Sequence, residues 1–432
     1  MGAKQCVLAY SGGLDTSAML PWLQDQGYEI HAVLVDVGQN EDLAGLCQKA
    51  LRYGARTAVV RDAKPAMFAE VIPLAIGLCA TYEGCYRLGT ALARPFIALE
   101  QVRVARQFGR ATLVHGATGK GNDQVRFEFA YRSLAPDCPI LAPWKVWDFR
   151  GRSDLISYLR SKGFVDDYAV QKDYSLDENL WHLSVEGGPL EDPHSLLNVA
   201  DVLHAVDGRF AWDNPFGDGP SAVEIELCAG VPVALNGRRL ALPDIVSQLN
   251  HQYRRADWAW DLIVENRFTG VKSRGLYINP AAKLLHLAAD SLARVCLNKP
   301  TYEQYVRLGR ELGTLLYRGE YFSDQRVVLV SAARALLARL SGTVLVRLEP
   351  VPYAARIDSA GSIFTRELAT FEDSDYAHQD AAGFIRLSWL SNVGKPLSED
   401  EYGHAVEPES SAASELRPAQ PVPGRRLVPT PV

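Results

Sequence analysis

The sequence has 432 residues, of which 47% are hydrophobic and 22% charged, and its formal net charge is -6. This ordinary globular composition and this length predict two to three domains. The acidic balance gives no sign of the clustered basic face that binds nucleic acid, and no apolar run reaches the roughly 18–20 residues of a membrane span. We therefore expect no nucleic acid and no membrane as partners, and small-molecule chemistry is favoured.

The N-terminus and the cysteines both indicate a reducing compartment. Residues 1–4 run directly into an apolar strand pattern, with no signal-like segment between them. The seven cysteines are odd in number and scattered, and they form no CxxC pair. That pattern predicts neither a disulfide framework nor a structural zinc site. We expect a cytoplasmic protein.

The first part of the chain alternates between strand and helix patterns. The expected strands are residues 5–10, 30–36, 56–60 and 111–115, and the expected helices are residues 16–26, 43–53, 65–78 and 92–107. Repeated strand–helix–strand units predict an α/β fold, with a parallel sheet and helices on both of its faces. Ligands bind beyond the carboxyl ends of such strands, so the loops at residues 11–15 and 116–124 are the candidates for a site.

From about residue 166 the patterns change to those of a mixed domain. Residues 222–227 and 231–235 flank a Cys-Ala-Gly turn and predict a hairpin, and helical patterns follow at 280–297, 302–316 and 325–340. After about residue 396 the chain becomes rich in Ser, Pro, Glu and Arg. We predict a first domain at 1–165, an α+β domain at 166–380, a short arm at 381–396 and a disordered Pro-rich tail at 397–432.

The strongest single motif is VLAYSGGLDTS, residues 7–17. A strand, two glycines and a helix start place backbone N–H groups and a positive helix end where a polyphosphate can bind, and Ser11, Thr16 and Ser17 add hydroxyl donors. Asp15 could hold Mg²⁺ or cap the helix. The alternative is a tight turn whose serines cap the helix, but the position after the first strand of a parallel sheet favours phosphate. Neither GxxxxGK[ST] nor GxGxxG occurs, which argues against kinase and dehydrogenase chemistry.

A second cluster lies in HGATGKGNDQVRFE, residues 115–128. Its three glycines allow the backbone to approach a ligand closely. Asn122, Asp123 and Arg126 combine an amide, a carboxylate and a cation, which suits an amino-acid zwitterion. Loops without a function rarely combine these features.

Together with YRLGTALARP (86–95), YSLDENLWHLSVEGGPLEDP (174–193) and VENRFTGVKSRGLY (264–277), these segments resemble the argininosuccinate synthase family, and they occur in that family's order over about residues 5–395. The glycine loop alone is similar to the PP-loop ATP pyrophosphatases. The resemblance implies an ATP-binding PP-loop domain, a synthetase domain for amino-acid binding and multimerisation, and a C-terminal oligomerisation arm. It also implies ATP and Mg²⁺ as cofactors and a homotetramer.

The resemblance implies an AMP-forming carbon–nitrogen ligase. In that family the ureido oxygen of citrulline attacks the α-phosphorus of ATP, which releases pyrophosphate. The amine of aspartate then displaces AMP to form argininosuccinate. Much of the catalysis is expected to come from positioning and electrostatic stabilisation.

Matching positions carry the family's roles to this chain. The catalytic candidates are Asp15, Asp123 and Arg126. The ATP-binding positions are Ala9, Tyr10, Ser11, Gly12, Gly13, Leu14, Asp15, Thr16, Ser17, Val35 and Gly116. The aspartate-binding positions are Thr118, Asn122 and Asp123. The positions for citrulline, or another acceptor, are Tyr86, Thr90, Ala91, Asn122, Arg126, Ser175, Ser184, Glu265 and Tyr277.

Several positions depart from the family's pattern. Ala91 replaces a serine that contacts citrulline, and loss of a hydroxyl bonded to a charged group costs about 1.5–3 kcal/mol. Arg87 replaces a proline, residues 257–260 read Asp-Trp-Ala-Trp where Gly-x-Gly-Arg is usual, and Ile278 replaces an acidic residue. We call these positions the departures. All of them fall in segments that bind or frame the second substrate.

The departures leave three hypotheses open. The chain is an argininosuccinate synthase with tolerated changes, or a specialised-metabolism paralogue that joins aspartate to another citrulline-like acceptor. A non-catalytic nucleotide-binding regulator is the third, although decay of Asp15, Asn122 and Asp123 would then be expected. tRNA sulfur transfer, a further superfamily activity, needs catalytic cysteines and a basic surface that the sequence does not indicate.

Overall fold

The structure is a computed structural model that describes residues 4–118, 121–164, 168, 174–207, 220–370, 375 and 377–392. These residues form three β-sheets and a set of surrounding helices. The strands are β1 (Lys4–Ala9), β2 (Tyr28–Asp36), β3 (Thr57–Asp62), β4 (Thr112–Val114), β5 (Ile140–Leu141), β6 (Ser175–Glu178), β7 (Leu183–Glu186), β8 (Ala222–Cys228), β9 (Val231–Leu235), β10 (Arg238–Arg239), β11 (Trp260–Asn266), β12 (Lys272–Ile278), β13 (Gly342–Arg347) and β14 (Tyr353–Asp358). The helices are α1 (Leu14–Asp25), α2 (Leu43–Arg52), α3 (Lys64–Glu70), α4 (Ile72–Gly77), α5 (Gly89–Ala105), α6 (Asn122–Leu134), α7 (Arg152–Ser161), α8 (Val199–Asp207), α9 (Leu242–Tyr253), α10 (Pro280–Cys296), α11 (Lys299–Tyr317), α12 (Asp324–Leu337), α13 (Arg366–Ala369) and α14 (His378–Asn392).

The N-terminal sheet is five-stranded, with the order β3-β2-β1-β4-β5, and its neighbouring strands pair in parallel. The predicted α/β fold is therefore confirmed. Strand β1 is central and is buried from Cys6 to Leu8 because helices cover both faces of the sheet. Strands β2 and β4 flank β1 on opposite sides, so the direction in which strands are added to the sheet reverses between β1 and β4. A ligand is expected in the crevice at the carboxyl ends of these two strands.

One predicted helix differs from the observed structure. Residues 65–78 were expected to form a single helix, but α3 and α4 meet at Val71. Pro73 stands in the first turn of α4, where its missing N–H breaks no intrahelical hydrogen bond. Within one continuous helix the same proline would remove an intrahelical hydrogen bond. The helix therefore breaks at this point, although the pattern of apolar residues continues through it.

Two antiparallel sheets follow the N-terminal sheet. One has the order β10-β9-β8-β13-β14 and contains the predicted hairpin, with β8 paired to β9. The other has the order β11-β12-β7-β6 and is the sheet that reaches the site. Helix α10 is buried along much of its length and belongs to the same apolar core as the inner face of the N-terminal sheet. A mixed second region is confirmed.

The contacts divide the chain into two compact units, one up to Phe364 and one from Thr365. The second unit contributes the short α13 and the longer α14 to the described residues. The predicted boundary at 165/166 and the predicted tail at 397–432 lie outside the described residues, and those domain bounds remain predictions. None of the described helices is both long enough and apolar enough to cross a bilayer.

Candidate active site

A cavity of about 790 Å³ lies at the carboxyl ends of β1, β2 and β4, between the N-terminal sheet and the sheet that contains β12. It combines the glycine loop with polar side chains from distant segments. The predicted site residues that line it are Ala9, Tyr10, Ser11, Gly13, Asp15, Thr16, Val35, Tyr86, Thr90, Gly116, Thr118, Asn122, Asp123, Arg126, Ser175, Ser184, Glu265 and Tyr277. Four predicted residues do not line it: Gly12, Leu14, Ser17 and Ala91.

The glycine loop, residues 11–15, is shaped by hydrogen bonds from residues of helices α1 and α2. Gly12 has a φ of +72°, a left-handed conformation that favours glycine, and an added Cβ would lie 2.3 Å from a methyl of Leu46. The Ser17 hydroxyl donates to the carbonyl of Gly12 at 3.3 Å, and Lys49 Nζ donates to the same carbonyl at 3.0 Å. Gly12 and Ser17 therefore shape the glycine loop, although neither of them lines the cavity.

Helix α1 begins at Leu14, and Gly13 is its N-cap residue. Gly13 has no side chain to accept from the first N–H groups of the helix, which suits an anion as their partner. Asp15 is the second helical residue, so the prediction that it caps the helix is wrong. The N-cap position falls two residues earlier because the extended backbone of Gly13 makes the turn. Asp15 instead lines the cavity.

The second loop approaches the glycine loop closely at Gly116. A Cβ on Gly116 would lie 2.7 Å from Cγ2 of Thr16. Real Cβ atoms do not come so near another carbon, and Thr16 is itself fixed by hydrogen bonds to Ser11 and Gly13. The absence of a side chain at Gly116 therefore allows the two loops to form one wall.

With ATP as the nucleotide that the resemblance implies, Gly116→Ala is expected to raise the KM for ATP about tenfold, because overpacking at a tight contact costs about 1–3 kcal/mol and would separate the two loops. The KM values for the other substrates should change less. Gly151→Ala is the matched control, since a Cβ there meets no atom within 4 Å. Steady-state pyrophosphate release at varied ATP measures the effect, and equal KM values for both variants would contradict it.

The opposite wall of the cavity is one face of the antiparallel sheet. Ser184 lies opposite Tyr277 on one side and Asp177 on the other, and Glu186 lies opposite Gly275 and Ser175. Because side chains alternate along a strand, these rows share a face, and Glu265 of β11 is on the same face. We call Ser175, Asp177, Ser184, Glu186, Glu265 and Tyr277 the sheet wall; all six line the cavity.

Asp123 is held by two arginines. Its Oδ2 accepts from Arg94 Nε at 2.9 Å, and its Oδ1 accepts from Arg126 Nη1 at 3.0 Å. Burial opposes the negative charge, but the two guanidinium groups outweigh it and lower the pKa of Asp123. Arg94 also bonds Asp177 of the sheet wall, so it links α6 to that sheet. The side chain of Asp123 is 31% exposed and keeps an open side towards the cavity.

Asn122 of helix α6 contacts Tyr317 of helix α11 and the turn between β11 and β12. Asn122 Nδ2 donates to the Tyr317 hydroxyl at 2.8 Å, and its Oδ1 accepts from the N–H of Phe268 at 2.7 Å. The guanidinium of Arg126 stands over the Tyr317 ring, 4.9 Å from its centroid. These contacts fix the orientation of the Asn122 amide and bring both predicted residues to the cavity.

Glu265 is a buried carboxyl group of the cavity whose pKa is raised. It is 5% exposed, and its Oε2 has no hydrogen-bond partner among the described residues. Burial, and then the neighbouring carboxylate of Glu186, raise the pKa of Glu265 to about 7, although Arg126 opposes the shift. A buried carboxyl group with an unpaired oxygen is well suited to bind an ammonium group of a ligand.

None of the departures lines the cavity. Ala91 is buried in the apolar core, and Ile278 is also buried. Trp260 lies opposite Ile278 in the β11–β12 ladder, one residue away from the row that contains Tyr277. The residues that differ from the family's pattern thus frame the site, while those that face the cavity retain the pattern.

Six charged residues that line the cavity were not predicted from the sequence: Glu41, Arg94, Asp177, Glu178, Glu186 and Arg267. All of them except Glu41 lie in the segments that resemble the family. Arg94 gave one further signal, because it is a lone cation in an otherwise apolar stretch of α5. A charge at such a position is expected only where it is paired.

Comparison with known proteins gives a consistent result over nearly the whole chain. The family model described as "Arginosuccinate synthase N-terminal HUP domain" matches residues 5–165, and "Arginosuccinate synthase C-terminal domain" matches residues 174–393. The argininosuccinate synthase of Cronobacter sakazakii is 40% identical over 92% of this chain and 98% of its own length. That of Caldicellulosiruptor saccharolyticus is 39% identical over 90% of this chain and 96% of its own.

Similarity to solved structures adds little. The NAD+ synthetase of Burkholderia pseudomallei is similar at a TM-score of 0.21 and 20% identity, over 38% of this chain and 77% of that one. That likeness is too weak to carry an argument. The two family models and the relatives matched over nearly their full length agree with a cavity that joins a glycine loop, an arginine–aspartate cluster and a polar sheet wall. The chain belongs to the argininosuccinate synthase family.

Proposed function

We propose that this protein is an argininosuccinate synthase, an AMP-forming ligase that joins citrulline to aspartate at the expense of ATP. The observation that carries the proposal is a single cavity lined by the glycine loop, by Thr118, Asn122 and Asp123, and by the sheet wall. Three substrates that react in sequence need adjoining sites, because the reacting atoms must come within about 3–3.5 Å of one another. The curated relatives bear this activity in their names.

Two displacements at this cavity account for the reaction. The ureido oxygen of citrulline attacks the α-phosphorus of ATP, the bond from that phosphorus to the β-phosphate oxygen breaks, and pyrophosphate leaves. The ammonium of aspartate loses a proton to become the free amine, which attacks the ureido carbon. The carbon–oxygen bond to AMP then breaks, and a second proton is lost from the nitrogen. Adenylation is needed because AMP leaves far more readily than a ureido oxygen.

The roles of the side chains follow from their charge and position. The glycine loop and the start of α1 hold the phosphates, with Val35 at the end of β2 beside the adenine. Arg126 binds a substrate carboxylate, and Glu265 binds the α-ammonium of citrulline. Asp123, kept ionised by its arginines, binds the ammonium of aspartate. Burial places these charges where they act more strongly than in water.

Mg²⁺ is proposed to accompany ATP. In nucleotide sites this ion is held by one or two carboxylates together with phosphate oxygens and water, rather than by a cage of side chains. Among the described residues no group of three His, Cys, Asp or Glu could hold a metal, and Asp15, the last residue of the glycine loop, lines the cavity. These residues fit a metal carried by the phosphates, with Asp15 as its protein ligand. The metal would neutralise charge on the departing pyrophosphate.

The test of the function is pyrophosphate release from ATP, aspartate and citrulline, with argininosuccinate identified by mass spectrometry. Full turnover should require all three substrates. Release of pyrophosphate with another carbonyl acceptor but not with citrulline would favour the paralogue, and no release with any acceptor would favour the regulator. The departures lie outside the cavity wall, so nothing in the wall favours an acceptor other than citrulline.

Ala91→Ser is expected to change the KM for citrulline less than about threefold. Ala91 is buried in the core and does not line the cavity, so a hydroxyl there should bond within α5 rather than to a substrate. Citrulline titration of pyrophosphate release measures this. If the KM for citrulline falls tenfold or more, this prediction is wrong. The result would then support the hypothesis from the sequence that the missing hydroxyl at position 91 weakens citrulline binding.

We also propose a homotetramer, in a compartment that keeps cysteines reduced and with neither nucleic acid nor membrane as a partner. Helix α14 exposes five large apolar side chains, a pattern that supports burial against another copy. They are Phe384, Ile385, Leu387, Trp389 and Leu390. The mass of the full chain in solution, measured by light scattering, tests this assembly.

A further inference from the structure

The cavity residue Tyr86 lies in a loop, residues 82–88, whose backbone is unusual. Glu83 and Leu88 both have left-handed conformations, with φ of +52° and +65°. For residues other than glycine this conformation is unfavourable and persists only where surrounding contacts hold it in place. The loop therefore needs firm attachment if it is to present Tyr86 to a substrate.

Strand β11 attaches the loop at two points. At the far end, Glu83 accepts from the N–H and the side-chain amide of Asn266 at 3.1 and 2.6 Å, and the Tyr82 hydroxyl donates to the Asn266 carbonyl at 2.8 Å. At the near end, Arg87 Nη1 donates to Asp261 Oδ2 at 2.6 Å. Glu265 of the sheet wall lies on β11 between the two attachments.

Asp261 in turn is held by Lys283 of α10. Lys283 Nζ lies 2.8 Å from Asp261 Oδ1 and donates to the carbonyls of Trp258 and Trp260 at 2.8 and 2.7 Å. The side chains of Arg87, Asp261 and Lys283 are 22%, 26% and 16% exposed, so the cluster is largely shielded from water. It joins a loop, a strand and a helix, and two of the departures, Arg87 and the 257–260 segment, take part in it.

The cluster acts on two residues of the cavity. Arg87 follows Tyr86 directly, and its carbonyl also accepts from Trp181 Nε1 at 2.9 Å. Asp261 lies opposite Tyr277 in the β11–β12 ladder. The rings of Tyr86 and Tyr277 are 4.8 Å apart, so the ion pair between Arg87 and Asp261 spans the two chain segments that bring these rings together.

We propose that Arg87, Asp261 and Lys283 form a positioning cluster that sets the distance between Tyr86 and Tyr277 and thereby the affinity for the acceptor. None of the three charges lines the cavity, so each acts through its neighbours. The proposal rests on the proposed function, because it takes the space beside these tyrosines to be the citrulline site.

The test compares Arg87→Met with Arg326→Met. Arg326 forms a similar inter-element pair with Glu70 at 2.9 Å, with side chains 28% and 43% exposed, and neither residue lines the cavity. Arg87→Met is expected to raise the KM for citrulline about tenfold while the KM for ATP stays within about twofold, and Arg326→Met should alter neither. Arg87→Lys retains the charge and should restore most of the affinity.

A double-mutant cycle identifies the partner. Asp261→Asn should also raise the KM for citrulline, and adding Arg87→Met to it should have less than the summed effect, because both changes break one contact. Additive effects would overturn the proposed cluster. So would a citrulline KM in Arg87→Met equal to that of the control.

Hydrogen exchange of the substrate-free protein separates this proposal from the proposed function. Exchange of the Tyr86 amide, which bonds the Tyr82 carbonyl at 3.1 Å, should become several-fold faster in Arg87→Met and stay unchanged in Arg326→Met. If the wild-type chain does not turn over citrulline, the proposed function fails and loop exchange alone decides: unchanged exchange overturns the cluster, and faster exchange supports it.

Discussion

Replacing Asp123 by asparagine should lower kcat/KM for aspartate between about thirtyfold and a few thousandfold, because removing one member of a hydrogen-bonded charge pair costs about 2–5 kcal/mol. Asp123 is the only acid that bonds both Arg94 and Arg126 among the described residues. The amide of asparagine cannot accept from both guanidinium groups with the same strength, and it carries no charge for the ammonium of aspartate. Product formation at varied aspartate measures the loss.

The same change should lower the free energy of unfolding by about 1–3 kcal/mol, less than for a fully buried pair, because a third of the side chain faces the open cavity. The lowered pKa of Asp123 determines how the stability from its ion pairs changes with pH. Stability from the ion pairs is present above the unfolded pKa of 3.8 and is lost as the pH falls through the folded value. Wild type and variant should therefore converge in acid.

Asp137→Asn is the matched control for this prediction. Its carboxylate is 33% exposed and accepts from Arg106 at 2.9 Å, but it does not line the cavity. The control should retain the wild-type kcat/KM for aspartate. If Asp123→Asn retained it as well, the proposed aspartate site would be wrong.

Local sequence signals predicted the N-terminal sheet and its two ligand loops well. The glycines at 12 and 13, the strand before them and the helix after them all belong to one short segment, and the carboxyl ends of parallel strands necessarily share an edge. The break at Val71 was missed because one proline at the start of α4 left the apolar periodicity intact.

The charged network of the site could not be predicted from the same signals. Arg94 is paired with Asp123 and Asp177, which lie 29 and 83 residues away along the chain. Such pairings are set by how α5, α6 and β6 pack, and no local pattern encodes that packing. The departures illustrate the same limit. In the sequence they stand beside substrate-binding residues, yet the alternation of the strands turns Ile278 away from the cavity while Tyr277 faces it.

Glu265→Gln should raise the KM for citrulline about ten- to hundredfold, since a hydrogen bond to a charged group contributes about 1.5–3 kcal/mol. The KM for ATP should be unchanged. In the wild type the KM for citrulline should itself fall as the pH rises through about 7, because only the ionised carboxylate attracts an ammonium group. The variant has no such group, and its KM for citrulline should vary little over the same range.

The same substitution is expected to stabilise the substrate-free protein. Folding raises the pKa of Glu265 from 4.5 to about 7, so folding favours the protonated acid and opposes the carboxylate. Stability from this group is fully present below pH 4.5 and is lost as the pH rises through 7. At pH 8 glutamine avoids that loss and should add about 1–3 kcal/mol to the free energy of unfolding. Urea unfolding at pH 5 and pH 8 measures the difference.

Glu100→Gln provides a control of opposite sign. Its carboxylate is 3% exposed, accepts from Arg61 at 3.0 Å and also bonds Arg103. Loss of that charge should destabilise the protein and leave the KM for citrulline unchanged, because Glu100 does not line the cavity. If Glu265→Gln destabilises the protein at pH 8 and leaves citrulline binding normal, the prediction is wrong, and Glu265 stabilises the fold as Glu100 does. Gain of stability together with loss of citrulline affinity is the signature of a carboxylate with one oxygen kept free for its substrate.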